Sequence, residues 1–310
     1  MTLSINKEKE AFLKKAASIV SIITACILTL IKIYAAFVTG SLSVLSSMID
    51  SLSDIFASLV TYIAVRYSGK PFNKNHRYGY GKAEAVSALF QAAFIAGSAI
   101  FILYDGFYRF FYPVQIEQTV FGVVVMLVCW FITLALIIFQ KYIIKLVRSQ
   151  AIQADSGHYT VDLLSNGSVI LSLLVVKHLH WFWFDIATAI AIAVYLLYNA
   201  WNITKDALEE ITDKEINEET RQKIIEIVTG TPGVLGCHDL RSRVSGSLYF
   251  VELHLELDGN LTLFEAHQIS DMAEAQITSI IPNAQIIIHQ DPHGLNENRL
   301  DHNINETDFL

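Results

Sequence analysis

The chain has 310 residues, of which 53% are apolar and only 17% carry a charge. Soluble domains average about 25% charged residues, so the composition argues against a disordered chain, a coiled coil and a water-soluble monomer, and it favours segments that lie in lipid. The net charge of −8 divides into +5 over residues 1–207 and −13 over residues 208–310, which indicates two bodies, the second of them too acidic to favour nucleic acid.

Six apolar segments of the first body are predicted to be transmembrane helices, because about 20 apolar residues are needed to cross a bilayer. They are Ala16–Val38, Leu42–Val65, Ala83–Phe107, Val120–Ile144, Val161–Val176 and Trp181–Trp201. The fifth segment is short, so we expect its helix to begin earlier, near Ala151. No proline falls within a predicted span, which favours unbroken helices.

Basic residues in the short connections predict the orientation of these helices. Lysines precede the first span, and further basic residues lie between the second and third spans and between the fourth and fifth. On the opposite side there is little positive charge beyond Arg109 and Lys177. We therefore expect residues 1–207 to form a transmembrane domain with both chain ends in the cytoplasm.

After residue 207 the pattern changes to that of a small α+β domain, predicted over residues 208–294. Its elements follow the order α-β-β-α-β. They are predicted at Asn217–Val228, Gly236–Val244, Leu248–Leu257, Leu263–Ile281 and Ala284–His289. Thr262 and Glu265 are spaced as a capping box for the second helix. Residues 295–310 are rich in Asn, Asp and Glu, and we predict a disordered acidic tail.

Two predicted spans carry pairs of metal-binding side chains at i,i+4 spacing, which places each pair on one helical face. The second span carries Asp50 and Asp54, and the fifth carries His158 and Asp162. Each carboxylate at the membrane centre costs about 2.5–3.5 kcal/mol on insertion scales, so two such pairs indicate a functional site. Facing each other, the helices would offer three carboxylates and one imidazole, which Zn²⁺ accepts in tetrahedral geometry. Asp155 is expected at the cytoplasmic end of its helix, as a structural polar residue.

The segments Gly40–Asp54 and Ala154–Asp162 closely resemble the cation diffusion facilitator family. The match to its bacterial zinc and ferrous-iron efflux branch extends through Tyr78–Glu84 to His289–Pro292. The resemblance implies six transmembrane helices, a cytoplasmic metallochaperone-like domain, a homodimer in a bacterial inner membrane, and exchange of a divalent metal for protons. It also implies a transport site formed by Asp50, Asp54, His158 and Asp162.

The resemblance implies further ligands outside the membrane, in a binuclear site at the dimer interface. The matching residues are His238, His254, His267, His289 and Asp291, with Gln290 as an accessory ligand. Members of this branch often have another site between spans two and three, built from one Asp and two His. Here only His76 matches, because Asn73 and Tyr80 stand at the other positions. One His without a carboxylate is a poor zinc site, so His76 is expected to be a solvated loop residue or a low-affinity entry ligand.

Together these features predict an antiporter that exports a divalent cation in exchange for protons, with Zn²⁺ as the leading ion in both the transport and the cytoplasmic site. Fe²⁺, Cd²⁺ and Co²⁺ are also compatible with three oxygen ligands and one nitrogen ligand. An enzyme is not expected, since there is no HExxH motif and no obvious nucleophile beside the ligands. A membrane-anchored metal sensor without transport is the alternative of another class, although it would not need carboxylates on two buried helix faces. The expected partners are a second copy of the chain, membrane lipid, the cation and protons.

Overall fold

The computed structural model describes residues 7–39, 42–111, 120–179, 183–296 and 299–303. The chain divides into two compact units, Met1–Leu208 and Glu209–Leu310. The predicted tail residues 304–310 lie outside the described residues.

The described residues of the first unit form six long helices, the last of which extends to Ile211. They are α1 (Lys7–Thr39), α2 (Leu42–Ser68), α3 (Ala83–Phe111), α4 (Val120–Leu146), α5 (Gln150–Leu179) and α6 (Trp183–Ile211). The start of α5 at Gln150 agrees with the expectation that this helix begins before its apolar run. The end of α6 differs from the prediction, because the helix continues beyond Trp201 through a polar segment that contains no proline or glycine.

Among the described residues, four helical segments are long and apolar enough to cross a membrane. They are Glu8–Ala35, Ala83–Tyr104, Val124–Leu146 and Ala187–Ile211. The remaining long helices, α2 and α5, carry the predicted metal ligands. Large apolar side chains such as Leu30, Phe37 and Ile100 are exposed on the first unit, as expected of a surface that lipid covers.

Small side chains line the contacts between these helices. Ala17 and Ala25 of α1, Ala88 and Ala92 of α3, and Ala154 of α5 are almost completely buried. Small residues let helix backbones approach closely, which is how helices associate where lipid removes the hydrophobic driving force. The bundle is therefore held by close packing and by the polar contacts between its helices.

One buried ion pair connects several helices near their ends. The Glu84 carboxylate of α3 accepts hydrogen bonds from Lys14 Nζ of α1 at 3.1 Å and from Ser68 Oγ of α2 at 2.9 Å. Ser149, just before α5, donates to its other oxygen at 2.5 Å. Lys14 also lies 3.3 Å from Glu10, one turn away. Glu84 thus links α1, α2 and the start of α5 through side chains removed from water.

The second unit has the predicted element order. Its elements are α7 (Glu218–Thr229), β1 (Gly236–Ser245), β2 (Leu248–Leu257), α8 (Leu263–Ile280), β3 (Ala284–Pro292) and a short 3-10 helix, η1 (Leu300–Asn303). The sheet order is β1-β2-β3, with β1 antiparallel and β3 parallel to β2. The predicted capping box at Thr262 and Glu265 is present at the start of α8.

Alternation along the strands gives this sheet one apolar face and one polar face. Leu253 and Leu255 of β2 are buried against Ile224 of α7 and Ile277 of α8. Burying one such leucine contributes about 1.5–3 kcal/mol. Because side chains alternate along a strand, His254 lies on the opposite face, which α7 and α8 do not cover.

The described part of the predicted tail contains η1. Asp239 accepts backbone hydrogen bonds from Leu300 and Asp301, both at 2.9 Å, and its own N–H donates to the Asp301 carboxylate at 2.8 Å. Asp239 has a φ of 51°, at the irregularity in the β1–β2 pairing between His238 and Arg241. This bulge turns Asp239 toward η1.

Candidate metal centres

The structure brings three of the four residues of the predicted transport site together. His158 Nε2 of α5 lies 3.1 Å from Asp54 Oδ1 of α2, and both side chains are buried. Asp162 lies one turn further along α5, and one ligand atom from each of the three residues falls within 4.8 Å of the others. Asp50 lies one turn before Asp54 on α2, but its side chain is outside the described part. Two carboxylates and an imidazole thus face each other between two helices.

The second ring nitrogen of His158 has no fixed partner. Its Nδ1 is buried and makes no hydrogen bond with the described residues. A metal-bound histidine usually has its other nitrogen held by a hydrogen bond that fixes the tautomer. Here Nε2, which lies near Asp54 Oδ1, is the ring nitrogen that has a hydrogen-bond partner among the described residues.

Asp155 is near the start of α5, as expected of a structural polar residue at this end of the helix, and its side chain is fully buried. Its carboxylate accepts a hydrogen bond from Gln140 of α4 at 2.7 Å. The hydroxyls of Ser58 and Thr61 of α2 lie 3.4 and 3.3 Å from its other oxygen. Sequence reasoning missed this network because its members come from different helices and leave no local pattern.

The polar face of the second unit carries a row of three histidines, one from each strand. The strand register pairs His238 of β1 with His254 of β2, and His254 with His289 of β3. Asp291, two residues beyond His289 on the same face, is buried between them. Its carboxylate lies 2.8 Å from His254 Nδ1, 3.2 Å from His289 Nε2 and 3.6 Å from His238 Nε2. The ligand atoms fall into two groups, one from His254, His289 and Asp291 and one from His238, Asp239 and His254. Imidazole and carboxylate ligands of this kind suit Zn²⁺.

Glu256 is a neighbouring acid that sequence reasoning did not single out. It lies 3.3 Å from His238 and accepts hydrogen bonds from His293 and Arg299, both at 2.6 Å. Burial opposes its charged form, but the hydrogen bonds from His293 and Arg299 outweigh this effect and lower the pKa of Glu256. Its position two residues after His254 on an alternating strand was the available sequence signal.

Burial raises the pKa of the neighbouring Cys237 thiol to about 11, which leaves it protonated at neutral pH.

Two residues of the predicted cytoplasmic set are not brought to this cluster within one chain. His267 is exposed on α8, where the ring lies 3.6 Å from Asp271. Gln290 points to the helical face of the sheet and donates to Ser270 of α8 at 2.9 Å. Since neighbouring residues of a strand point to opposite faces, Gln290 is separated from His289 and Asp291 by the sheet itself.

The connection between α2 and α3 is arranged around aromatic rings. His76 is exposed and stacks on Tyr80 with 4.3 Å between ring centroids, and Asn73 donates to the Tyr80 hydroxyl at 2.5 Å. Lys70 Nζ lies 3.4 Å from the centroid of the Tyr67 ring. Among the described residues, the groups able to hold a metal do not include His76.

Comparison with known proteins gives two family matches that together span most of the chain. Residues 18–212 match the cation efflux transmembrane domain, and residues 216–293 match the cation efflux protein cytoplasmic domain. The cation-efflux pump FieF of Shewanella oneidensis is 43% identical over 281 residues, covering 91% of this chain and 95% of that protein. FieF of Yersinia enterocolitica is 41% identical over 285 residues, covering 91% and 94%. A structure of CzrB in its zinc form is 30% identical, with a TM-score of 0.25, and covers 28% of this chain and 99% of that one.

Proposed function

The chain belongs to the cation efflux family, also called the cation diffusion facilitators, and we propose that this membrane transporter of divalent metal cations exports Zn²⁺ from the cytoplasm in exchange for protons. Membership makes it a transporter rather than an enzyme. It also argues against a metal sensor without transport. Zn²⁺ as the substrate and protons as the counter-ion are the proposed part.

One observation carries the choice of ion. Asp54, His158 and Asp162 converge from two helices with one imidazole nitrogen among carboxylate oxygens. With Asp50 one turn from Asp54, the proposed transport site has three oxygen ligands and one nitrogen ligand. Zn²⁺ is bound by this mixture of ligands in tetrahedral geometry, whereas Mg²⁺ and Ca²⁺ favour oxygen alone. Fe²⁺ is the second candidate, since imidazole also suits iron.

Competition for the same atoms accounts for proton coupling. Carboxylates and imidazole bind a metal only after losing their protons, so metal binding releases protons and protonation releases the metal. Histidine is the side chain that ordinarily changes charge near neutral pH, which makes His158 the proposed proton carrier of the set. In the inward-facing state the cation would displace protons, and in the outward-facing state protons would displace the cation.

Transport into proteoliposomes with an imposed pH gradient tests this proposal. Wild-type protein should move Zn²⁺ into vesicles whose interior is more acidic than the medium, in the direction opposite to proton flow. Collapse of the pH gradient with an ionophore should slow this flux. Asp54→Ala should abolish transport while the protein remains folded, and Zn²⁺ flux at the wild-type rate in this variant would refute the site assignment. Competition between Zn²⁺, Fe²⁺, Cd²⁺ and Co²⁺ in the same vesicles would rank the substrates.

We propose a second, regulatory metal site in the cytoplasmic domain, held by His238, His254, His289 and Asp291. The fit rests on three imidazole rings within 3.6 Å of one buried carboxylate. A cation bound there would neutralise this carboxylate and fix the three strands relative to one another. His267 remains a proposed ligand at the interface of a homodimer, and His76 remains a proposed low-affinity entry ligand. The contact of Gln290 with Ser270 on the helical face argues against its proposed role as an accessory ligand.

The proposed setting is a bacterial inner membrane with both chain ends in the cytoplasm. The basic connections between α2 and α3 and between α4 and α5 support this orientation. The transmembrane domain would comprise residues 1–207, and the metal-binding dimerisation domain residues 208–294. Reaction of single introduced cysteines with a membrane-impermeant thiol reagent in spheroplasts would test the orientation.

A further inference from the structure

We propose that Asp155 is a proton-binding site inside the membrane unit, separate from the metal ligands, and that it releases its proton when the divalent cation enters the neighbouring transport site. The inference rests on the proposed function, because it takes Asp54, His158 and Asp162 as the residues that bind the transported ion. It adds a proton carrier to that function, and so raises the number of protons exchanged for each cation.

The first observation is that the hydrogen-bond donors to Asp155 among the described residues are all neutral. Its side chain is fully buried, and none of the ion pairs among the described residues includes it. Its hydrogen-bond donors are the amide of Gln140 and the hydroxyls of Ser58 and Thr61. The two hydroxyl contacts are long, at 3.4 and 3.3 Å. Such donors only partly offset the cost of removing a carboxylate from water, so protonation is the less costly state when no positive charge is near.

The second observation is a shortage of donors in the same network. Gln140 gives its Nε2 hydrogens to Asp155 and Ser21, and Gln91 gives its Nε2 to Thr61. The oxygen of each glutamine is buried and has no hydrogen-bond partner among the described residues. Unmet acceptors of this kind are rare and costly. A protonated carboxyl group donates a hydrogen bond as well as accepting one. If the side-chain amide of Gln140 is rotated by 180°, its oxygen would accept a hydrogen bond from the protonated Asp155.

The third observation links Asp155 to the metal site. It precedes His158 by three residues on α5, which is about 4.5 Å along the helix axis, toward the Gln150 end. Ser58, one turn after Asp54 on α2, contacts both Asp155 and the hydroxyl of Tyr159, the latter at 2.7 Å. The ionisable groups near Asp155 are His158 and Tyr159 on its own helix and Asp54 on α2.

Among the described residues, the side chains that the other helices supply to this network are uncharged. Ser21 of α1, Gln91 of α3 and Gln140 of α4 are its members. The charge state of Asp155 therefore depends mainly on the site one turn away. Without a cation, burial and the neighbouring carboxylates disfavour a further negative charge, and the single positive charge of a protonated His158 opposes this effect. With a divalent cation bound, the added positive charge favours the ionised form in a medium where charges interact strongly.

The exchange balances without another reactant. As the cation enters, the O–H bond of Asp155 breaks, its electron pair stays on the carboxylate, and the proton leaves to water on the open side of the site. When the cation leaves, Asp155 takes a proton back from water. Each transport cycle then moves this proton in the direction opposite to the metal.

The test is the number of protons released per Zn²⁺ bound by the full-length protein. It is measured by calorimetry in buffers with different ionisation enthalpies, at several pH values around neutrality. All proteins in this test carry His238→Ala, His254→Ala and His289→Ala, so that only the transport site is titrated. In the calorimetry, wild type means the protein with these three replacements and no other. Asp155→Asn keeps the size and polarity of the side chain but has no proton to release. The matched control is Glu84→Gln, since Glu84 is equally buried but is paired with Lys14.

We expect Asp155→Asn to bind Zn²⁺ and to release fewer protons than wild type, by a difference that approaches one. Glu84→Gln should release the wild-type number. Equal proton counts for wild type and Asp155→Asn at every pH would overturn the inference.

An infrared measurement covers the case in which Asp155→Asn does not fold. Adding Zn²⁺ to the wild-type protein should remove the carbonyl band of a protonated carboxyl group, and Asp155→Glu should shift that band. If no such band is lost from wild type, the inference is wrong. Failure of the proposed function would look different, because wild type would then release no protons on binding Zn²⁺, or Asp54→Ala would still transport.

Discussion

Replacement of Lys14 by methionine should destabilise the membrane unit, because it leaves a buried carboxylate without its cation. Lys14 Nζ lies 3.1 Å from Glu84, and the two side chains are only 7% and 2% exposed. Removal of one partner of a buried pair typically costs about 3–5 kcal/mol. Ser68 and Ser149 still donate to Glu84, which places the expected loss at the lower end. At about 2–4 °C per kcal/mol for a unit of this size, the melting temperature should fall by roughly 6–12 °C.

The double variant Lys14→Met/Glu84→Gln separates charge from packing. It replaces the ion pair with two uncharged side chains of similar size, so we expect it to be more stable than Lys14→Met alone. Melting temperatures of the purified protein in one detergent would be compared for wild type, both single variants and the double variant. If the losses of the two single variants simply add in the double variant, the two residues are not coupled and the reasoning is refuted.

Three other predictions follow from the two sites and from the core. His158→Asp should broaden selectivity toward Mn²⁺, because it converts the transport site to oxygen ligands only; an unchanged ratio of Zn²⁺ to Mn²⁺ flux in vesicles would contradict this. Joint replacement of His238, His254 and His289 by alanine should reduce the stabilisation of the protein by added Zn²⁺ more than it reduces basal transport, and an equal loss of both would argue against separate roles. Leu253→Ala should cost about 2–5 kcal/mol through lost contacts and a cavity in the second unit, detected as an earlier unfolding transition, whereas alanine at the exposed Leu263 should have little effect.

Local patterns in the sequence were sufficient for much of this fold. Spacing of four residues put His158 and Asp162 on one face of a predicted helix, and strict alternation around His254 placed it opposite a leucine face. These predictions depend only on the geometry of a helix or a strand. They needed no knowledge of which elements are neighbours.

What the sequence could not supply were contacts between distant elements. Asp155 has partners on α2 and α4, so its burial depends on how three helices pack. The ion pair of Glu256 with Arg299 depends on the path of the chain after β3, which brings Arg299 back to β2. The convergence of His238 and His289 on Asp291 depends on the register of β1 and β3, which no local pattern determines. These residues were assigned to one predicted site only because of the family resemblance.

The row of histidines has a consequence for how such a protein can change during evolution. His289 and Asp291 share their strand with Ile286 and Ile288, which pack against the core from the other face. A shift of the whole of β3 by one residue in its pairing with β2 would turn the isoleucines outward and the histidine inward together. The ligands therefore cannot be lost by slippage of the strand while the domain survives, but they can be lost one at a time by substitution. Relatives that have lost the proposed metal ligands should keep this sheet intact and differ from it by single substitutions on its polar face.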